Sequence, residues 1–282
     1  VVSRPSRAPR HDVSCERGSS PMSATFGYLA ALLATNLRAA FSNPLQAVSQ
    51  LALMVLNNLI FLLIWVLYFE RFPELRGWGR ADVAMLYGVT AFGFGLMVAL
   101  AGGMRDLART IVDGSLDVHL GRPRHPLPSL LMSRSVPAGF GDVASAFVIW
   151  LWFAERGVSD LPLLVLLSLA AGAVMTATMA AAQCVVFWWP GVLRLAEQFW
   201  EVILMITVYP QHVFGPAIRL VLFTVLPVAF MSQVPVEAIR EGDPLKMLSV
   251  FAAAILYGAL AIAIFDRGLR RYQSGNQMVV NR

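Results

Sequence analysis

Glu197 and Glu201 stand one helical turn apart inside the apolar run 192–209. A charge at the centre of a bilayer costs about 3 kcal/mol or more, so such a side chain faces a cavity or a partner. Two roles fit the pair. They can line a path through the membrane, or Glu197 can pair with Arg194, three residues earlier, near the membrane edge. Asp142, inside the apolar run 136–154, poses the same question. Gln46, Gln50 and Asn57 fall on one helical stripe of the run 45–69. They can line a path too, or hydrogen-bond to a neighbouring helix.

Soluble catalytic chemistry finds little support. No glycine immediately precedes the single lysine, Lys246, so the phosphate-cradling loop G-x-x-x-x-G-K-[ST] is missing. H-E-x-x-H and G-x-S-x-G are missing as well. His119 and His125 share a loop with Asp113 and Asp117, where solvated side chains are the ordinary reading and a metal the exceptional one. Cys15 and Cys184 offer neither a disulfide framework nor metal-ligand spacing. The net charge is +5 and the pI about 9.7. The arginines flank apolar runs rather than cluster, which fits membrane topology and not a nucleic-acid face.

The elements that carry these residues are membrane helices. The chain has 282 residues, 57% hydrophobic and 14% charged, with mean hydropathy +0.65. A soluble domain carries about 25% charged residues, so much of this surface must face lipid. Spans are expected at about 45–69, 82–104, 136–154, 161–187, 192–209 and 247–265, each near the roughly 20 residues a bilayer needs. Residues 1–21 form an Arg/Ser/Pro-rich segment expected to be a disordered cytoplasmic tail, with Met22 as an alternative start. Residues 22–43 suit an amphipathic helix at the membrane surface, broken at Asn43-Pro44. The segment 211–245, cut by Pro216 and Pro227, fits either a further span or a pair of short re-entrant helices on the outer side.

Charge favours the second. With six spans, most of the 22 Arg and Lys residues fall on the inner side with both termini. The expected fold class is therefore all-α, a polytopic membrane protein of six transmembrane helices with an N-terminal interfacial helix and an outer re-entrant segment. Small residues recur every four positions at Ala91, Gly95, Ala99 and Gly103, and at Ser168, Gly172, Thr176, Ala180 and Cys184, ridges that let helices approach closely.

The inner loop 105–135 is the most structured hydrophilic segment. Asp113-Gly114 signals a turn. Ser115 can cap a short helix from Ser115 to Leu120, Gly121 can end it, and Arg122-Pro123 forces an extended exit. A short helix held on a rigid loop is a docking knob for a soluble partner.

The run VDGSLDVHLGRPRHPL resembles the G-x-L-D-x-x-L-x-R-P stretch of permeases of ATP-binding-cassette (ABC) transporters, in the type-2 exporter class. LPVAFMSQVPVEAI, FDRGLRRYQSGN and the order of elements resemble the same group over most of 22–276. The resemblance implies a bacterial plasma-membrane permease with both termini cytoplasmic. It implies pairing with an identical or related permease chain and with two copies of a separate cytoplasmic ABC ATPase. Asp113, Gly114, Ser115, Leu116, Asp117, Arg122 and Pro123 would touch that ATPase. ATP and Mg would sit on the partner, with no cofactor on this chain. The competing function, a secondary transporter or channel without an ATPase, would call for an inverted internal repeat, and none is visible.

Overall fold

The computed structural model describes residues 21–121, 124–155 and 157–273. The tail as far as residue 20, and Arg122 and Pro123 of the loop, lie outside the described residues.

The first half of the chain supplies seven helices. α1 is Pro21–Ala40, α2 Pro44–Arg71, α3 Arg80–Leu100, α4 Leu107–Val112, α5 Asp117–Leu120, α6 Pro126–Leu131 and α7 Ala138–Trp152. The second half supplies α8 Leu161–Gln183, α9 Leu193–Thr207, α10 Pro216–Thr224, α11 Val228–Met231, α12 Gln233–Glu241 and α13 Pro244–Leu269. Among the described residues there is no strand.

Local chemistry sets the helix starts. The Asn43 side chain accepts the Gln46 N–H at 3.2 Å and Pro44 takes the first turn of α2. Asp243 caps α13 in the same way, accepting the Leu245 N–H at 2.8 Å, with Pro244 next. At α3 the Asp82 carboxylate reaches back to the Gly79 N–H at 3.0 Å.

Four helical stretches are long and apolar enough to cross a membrane: α2, α3, α8 with its flanking turns, and α13. α7 is apolar but has 15 residues, as does α9. At 1.5 Å per residue that is about 22 Å, less than the roughly 30 Å hydrocarbon core. The expected run 82–104 is shorter than predicted. Its helix stops at Leu100, where Ala101 leaves helical geometry (φ −124°), and Gly102–Asp106 form a 3₁₀ turn. Gly103 therefore belongs to that turn, packed against the Leu130 carbonyl and Ser133, and not to the ridge on α3.

Side-chain contacts sort the helix ends into two groups. At one end Arg80 pairs with Glu155 at 2.8 Å, Arg240 with Asp82 at 3.6 Å, and the Trp65 and Tyr209 rings lie 5.7 Å apart. At the other end Arg109 pairs with Glu197 at 2.6 Å, His125 with Asp266 at 2.9 Å, and the Ala108 N–H donates to the Gln183 Oε1 at 2.9 Å. α2, α3, α7, α8, α9 and α13 run between the two. The segment from residue 211 to the close of α12 starts and finishes at the first end, where the Gln211 N–H donates to the Gln233 Oε1 and Arg240 pairs with Asp82, and α10 dips into the bundle between them. The Thr224 carbonyl, at the close of α10, accepts the Tyr257 hydroxyl at 2.8 Å, half-way along α13.

α3 is the centre of the bundle, buried on nearly every face, with α7 and α8 packed on it. Glycine makes this approach possible. A Cβ at Gly172 would stand 2.9 Å from the Gly93 Cα, and one at Gly95 would stand 2.6 Å from the Asp142 Cβ and the Gly139 carbonyl. Overpacking such a contact costs about 1–3 kcal/mol. Gly172→Leu is expected to lower the thermal unfolding midpoint in detergent by roughly 5 °C or more. Gly258→Leu, where a side chain would meet nothing within 4 Å, leaves the midpoint unchanged. Equal midpoints for the two variants would overturn this packing account.

Candidate functional site

Two features stand out, a loop at the second of these ends and a polar cleft between helices. In the loop, α4 ends at Val112 and is capped by Asp113, whose N–H bonds back to the Arg109 carbonyl at 2.8 Å. Gly114 turns the chain with φ +78°, a conformation that favours glycine. Leu116 then points inward. It is fully buried among Leu107, Ile111, Leu127, Leu130 and Phe265, a burial worth about 1.5–3 kcal/mol. Two expectations change here. Leu116 is the anchor of the loop and not a residue available to a soluble partner. The short helix starts at Asp117, and the Ser115 hydroxyl donates to the Thr110 carbonyl at 3.3 Å instead of capping it.

What the loop presents outward is Val118, 70% exposed, with Asp113, Ser115 and Leu120 also exposed around it. Nearby, Tyr272 lines a cavity of about 240 Å³ between the loop and the turn after α8. Burial, reinforced by the facing Asp117 carboxylate, pushes the Tyr272 phenol up to about 12.

The loop is tied to the rest of the molecule from several sides. Arg109 donates twice to the Glu197 Oε1 on α9, from Nε at 3.1 Å and Nη2 at 2.6 Å. This replaces the expected Arg194–Glu197 pair, because Arg194 stays exposed while the loop delivers Arg109. His125 pairs with Asp266 of α13. Asn36 of α1 donates to the Met132 carbonyl at 2.7 Å, and Arg124 lies 4.9 Å over the Tyr28 ring. Among the described residues no group of three metal-ligating side chains gathers.

The cleft, of about 380 Å³, opens between α2, α3, α7 and α9. A buried polar network forms one wall. The Tyr87 hydroxyl donates to the Asn58 Oδ1 at 2.7 Å. Asn58 Nδ2 donates to the Asp142 Oδ1 at 2.7 Å and the Ser145 Oγ at 3.2 Å, and Ser145 donates to the Gly141 carbonyl. Asp142 is 3% exposed, and its Oδ2 has no hydrogen-bond partner. Asn57 and Glu201 border the same cleft. The other path candidates lie elsewhere: Glu197 is held by Arg109, and Gln46 and Gln50 border a separate hollow with Asn43 and Arg134.

Compared with known families, residues 54–276 match the model of the ABC-2 family transporter protein. The chain belongs to the ABC-2 transporter family. Comparison with curated proteins and with solved structures finds no match. As an ABC-2 permease it is a multi-pass membrane transport component, and the family works in general with an ABC ATPase.

Two functional candidates of this permease escaped the sequence reading. Val118 is an apolar residue between Asp117 and His119 in a hydrophilic loop, which is a usable signal. Asn58 lies on a different stripe from Asn57, about 80° round the helix from Gln50, and Ser145 follows Asp142 by three positions. α2 is apolar around most of its circumference, so neither stripe could be preferred without its neighbours.

Proposed function

We propose that the chain is the permease subunit of an ATP-driven exporter of the bacterial plasma membrane. It pairs with a second permease chain, identical or related. Two copies of a separate cytoplasmic ATPase, carrying ATP and Mg, dock on the 105–135 loops of the pair. The observation that carries this reading is a family match over 54–276 on a chain whose inner loop is anchored by buried Leu116 and exposes Val118. Asp113, Gly114, Ser115 and Asp117 flank that contact, and Leu116 holds it in place. Arg122 and Pro123 continue the family's motif beside it.

The proposed topology has six crossings with both termini cytoplasmic and 211–245 re-entrant from outside. Four apolar membrane-length helices, the apolar α7, and a segment 211–245 that leaves and rejoins one end of the bundle support it. Closure of the ATPase on ATP would displace the loop. The Arg109–Glu197 and His125–Asp266 pairs would carry the displacement into α9 and α13 and change access to the cleft.

Purification of the chain in mild detergent, with its companions identified by mass spectrometry, tests this. An ATPase bearing G-x-x-x-x-G-K-[ST] is expected in amounts matching the permease. Recovery of the chain with no such ATPase would overturn the proposal.

A further inference from the structure

We infer that the cleft between α2, α3, α7 and α9 binds a lipophilic organic cation. This takes the cleft as the substrate site and so rests on the permease reading, which leaves the substrate class open. Two acids border the cleft. Asp142 is buried, with Oδ1 held by Asn58 and Oδ2 without a hydrogen-bond partner. Buried polar atoms are paired in folded proteins with few exceptions, and an acid at membrane depth calls for a counter-charge. Glu201 is exposed toward the cleft's other side, and among the described residues no ion pair engages it. Arg105 stacks 4.3 Å from the Trp200 ring but is not among the residues bordering the cleft.

The remaining walls select the kind of cation. Phe61, Tyr87 and Tyr209 present aromatic rings, the Phe61 and Tyr87 rings stacked 5.1 Å apart, while the Trp200 ring that also borders the cleft is stacked on Phe94 and occupied by Arg105. Ring faces attract organic cations. A metal ion needs six or more oxygens or a compact nitrogen and sulfur set, and among the described residues no such group exists. A volume of about 380 Å³ is that of a drug-sized pocket. An amphiphile with one positive centre and apolar arms matches both the acids and the rings.

The test is binding of tetraphenylphosphonium to the purified permease, with whatever subunits accompany it, in lipid nanodiscs without ATP, followed by isothermal titration. Triphenylphosphine oxide serves as the uncharged comparator. The cation is expected to bind at least tenfold more tightly than the comparator. Asp142→Asn and Glu201→Gln should each weaken cation binding about tenfold and leave the comparator unchanged. Equal affinity for the two probes, or undiminished cation binding in both variants, would overturn the inference. Should Asp142→Asn elute as aggregate, Glu201→Gln decides, since its side chain is exposed. Binding is read on the permease itself, so failure to recover an ATPase sinks the permease reading while leaving this result legible.

Discussion

Val118→Asp is expected to abolish association with the ATPase while leaving the permease folded and in the membrane. Val118 is 70% exposed and sits on a helix of four residues whose own hydrogen bonds could not hold it in place. Its position depends on Leu116, two residues away and fully buried. Burial of a valine against a partner contributes about 1.5–3 kcal/mol, and an unpaired carboxylate in its place adds a desolvation cost. A combined loss near 3 kcal/mol is about a hundredfold in affinity.

The informative comparison is Leu116→Asp. It should also lose the ATPase, through collapse of the loop, and it should speed amide hydrogen exchange across 107–120, which Val118→Asp does not. Ser115→Ala, on an exposed side chain whose hydroxyl makes a long 3.3 Å hydrogen bond to the Thr110 carbonyl, should bind normally. Co-purification and hydrogen-exchange mass spectrometry separate the three. Normal ATPase recovery with Val118→Asp would remove the loop's apolar knob from the docking surface.

Asn58→Ala is the second large effect. Asn58 is 4% exposed and is the hub of the cleft wall, bonded to Tyr87, Asp142 and Ser145. Its removal leaves the Tyr87 hydroxyl and the Asp142 Oδ1 without partners. Each orphaned buried group costs about 1–3 kcal/mol, although hydrogen bonds between membrane helices average nearer 0.6 kcal/mol. A loss of about 2–4 kcal/mol is expected on these figures. Asn57→Ala, one residue away on an exposed face, should cost less than about 0.5 kcal/mol. Titration of unfolding by sodium dodecyl sulfate in mixed micelles measures both. Equal stability of the two variants would mean that the network holds nothing together.

Much of the architecture was legible in one dimension. Asn43-Pro44 marks the start of α2 because an acceptor side chain followed by a fixed φ is a helix N-terminus by local geometry alone. The four membrane-length helices were visible as apolar runs because lipid demands apolarity over a set length. Gly114 was legible as a turn, since few residues other than glycine reach its φ.

The site was less legible, for reasons that particular residues make plain. Arg194 lies three residues from Glu197 and looked like its partner, yet Arg109 holds that carboxylate from 88 positions away. Leu116 and Val118 are both apolar and two apart, and a four-residue helix has too few turns for periodicity to say which faces inward. Asn57 and Asn58 are identical in type, and only the arrival of α7, with Asp142, distinguishes them.

Composition and local spacing were thus enough to determine a helical membrane protein and its four membrane-length helices, because each depends on a residue and its near neighbours, while the ABC-2 family was legible through the resemblance of a local motif. The tertiary structure alone decided that Leu116 anchors, that Arg109 holds Glu197 and that Asp142 meets Asn58. Those pairings join helices distant in sequence, and their geometry is set by close approaches such as Gly93 on Gly172 and Gly95 on Gly139, whose partners no local pattern names.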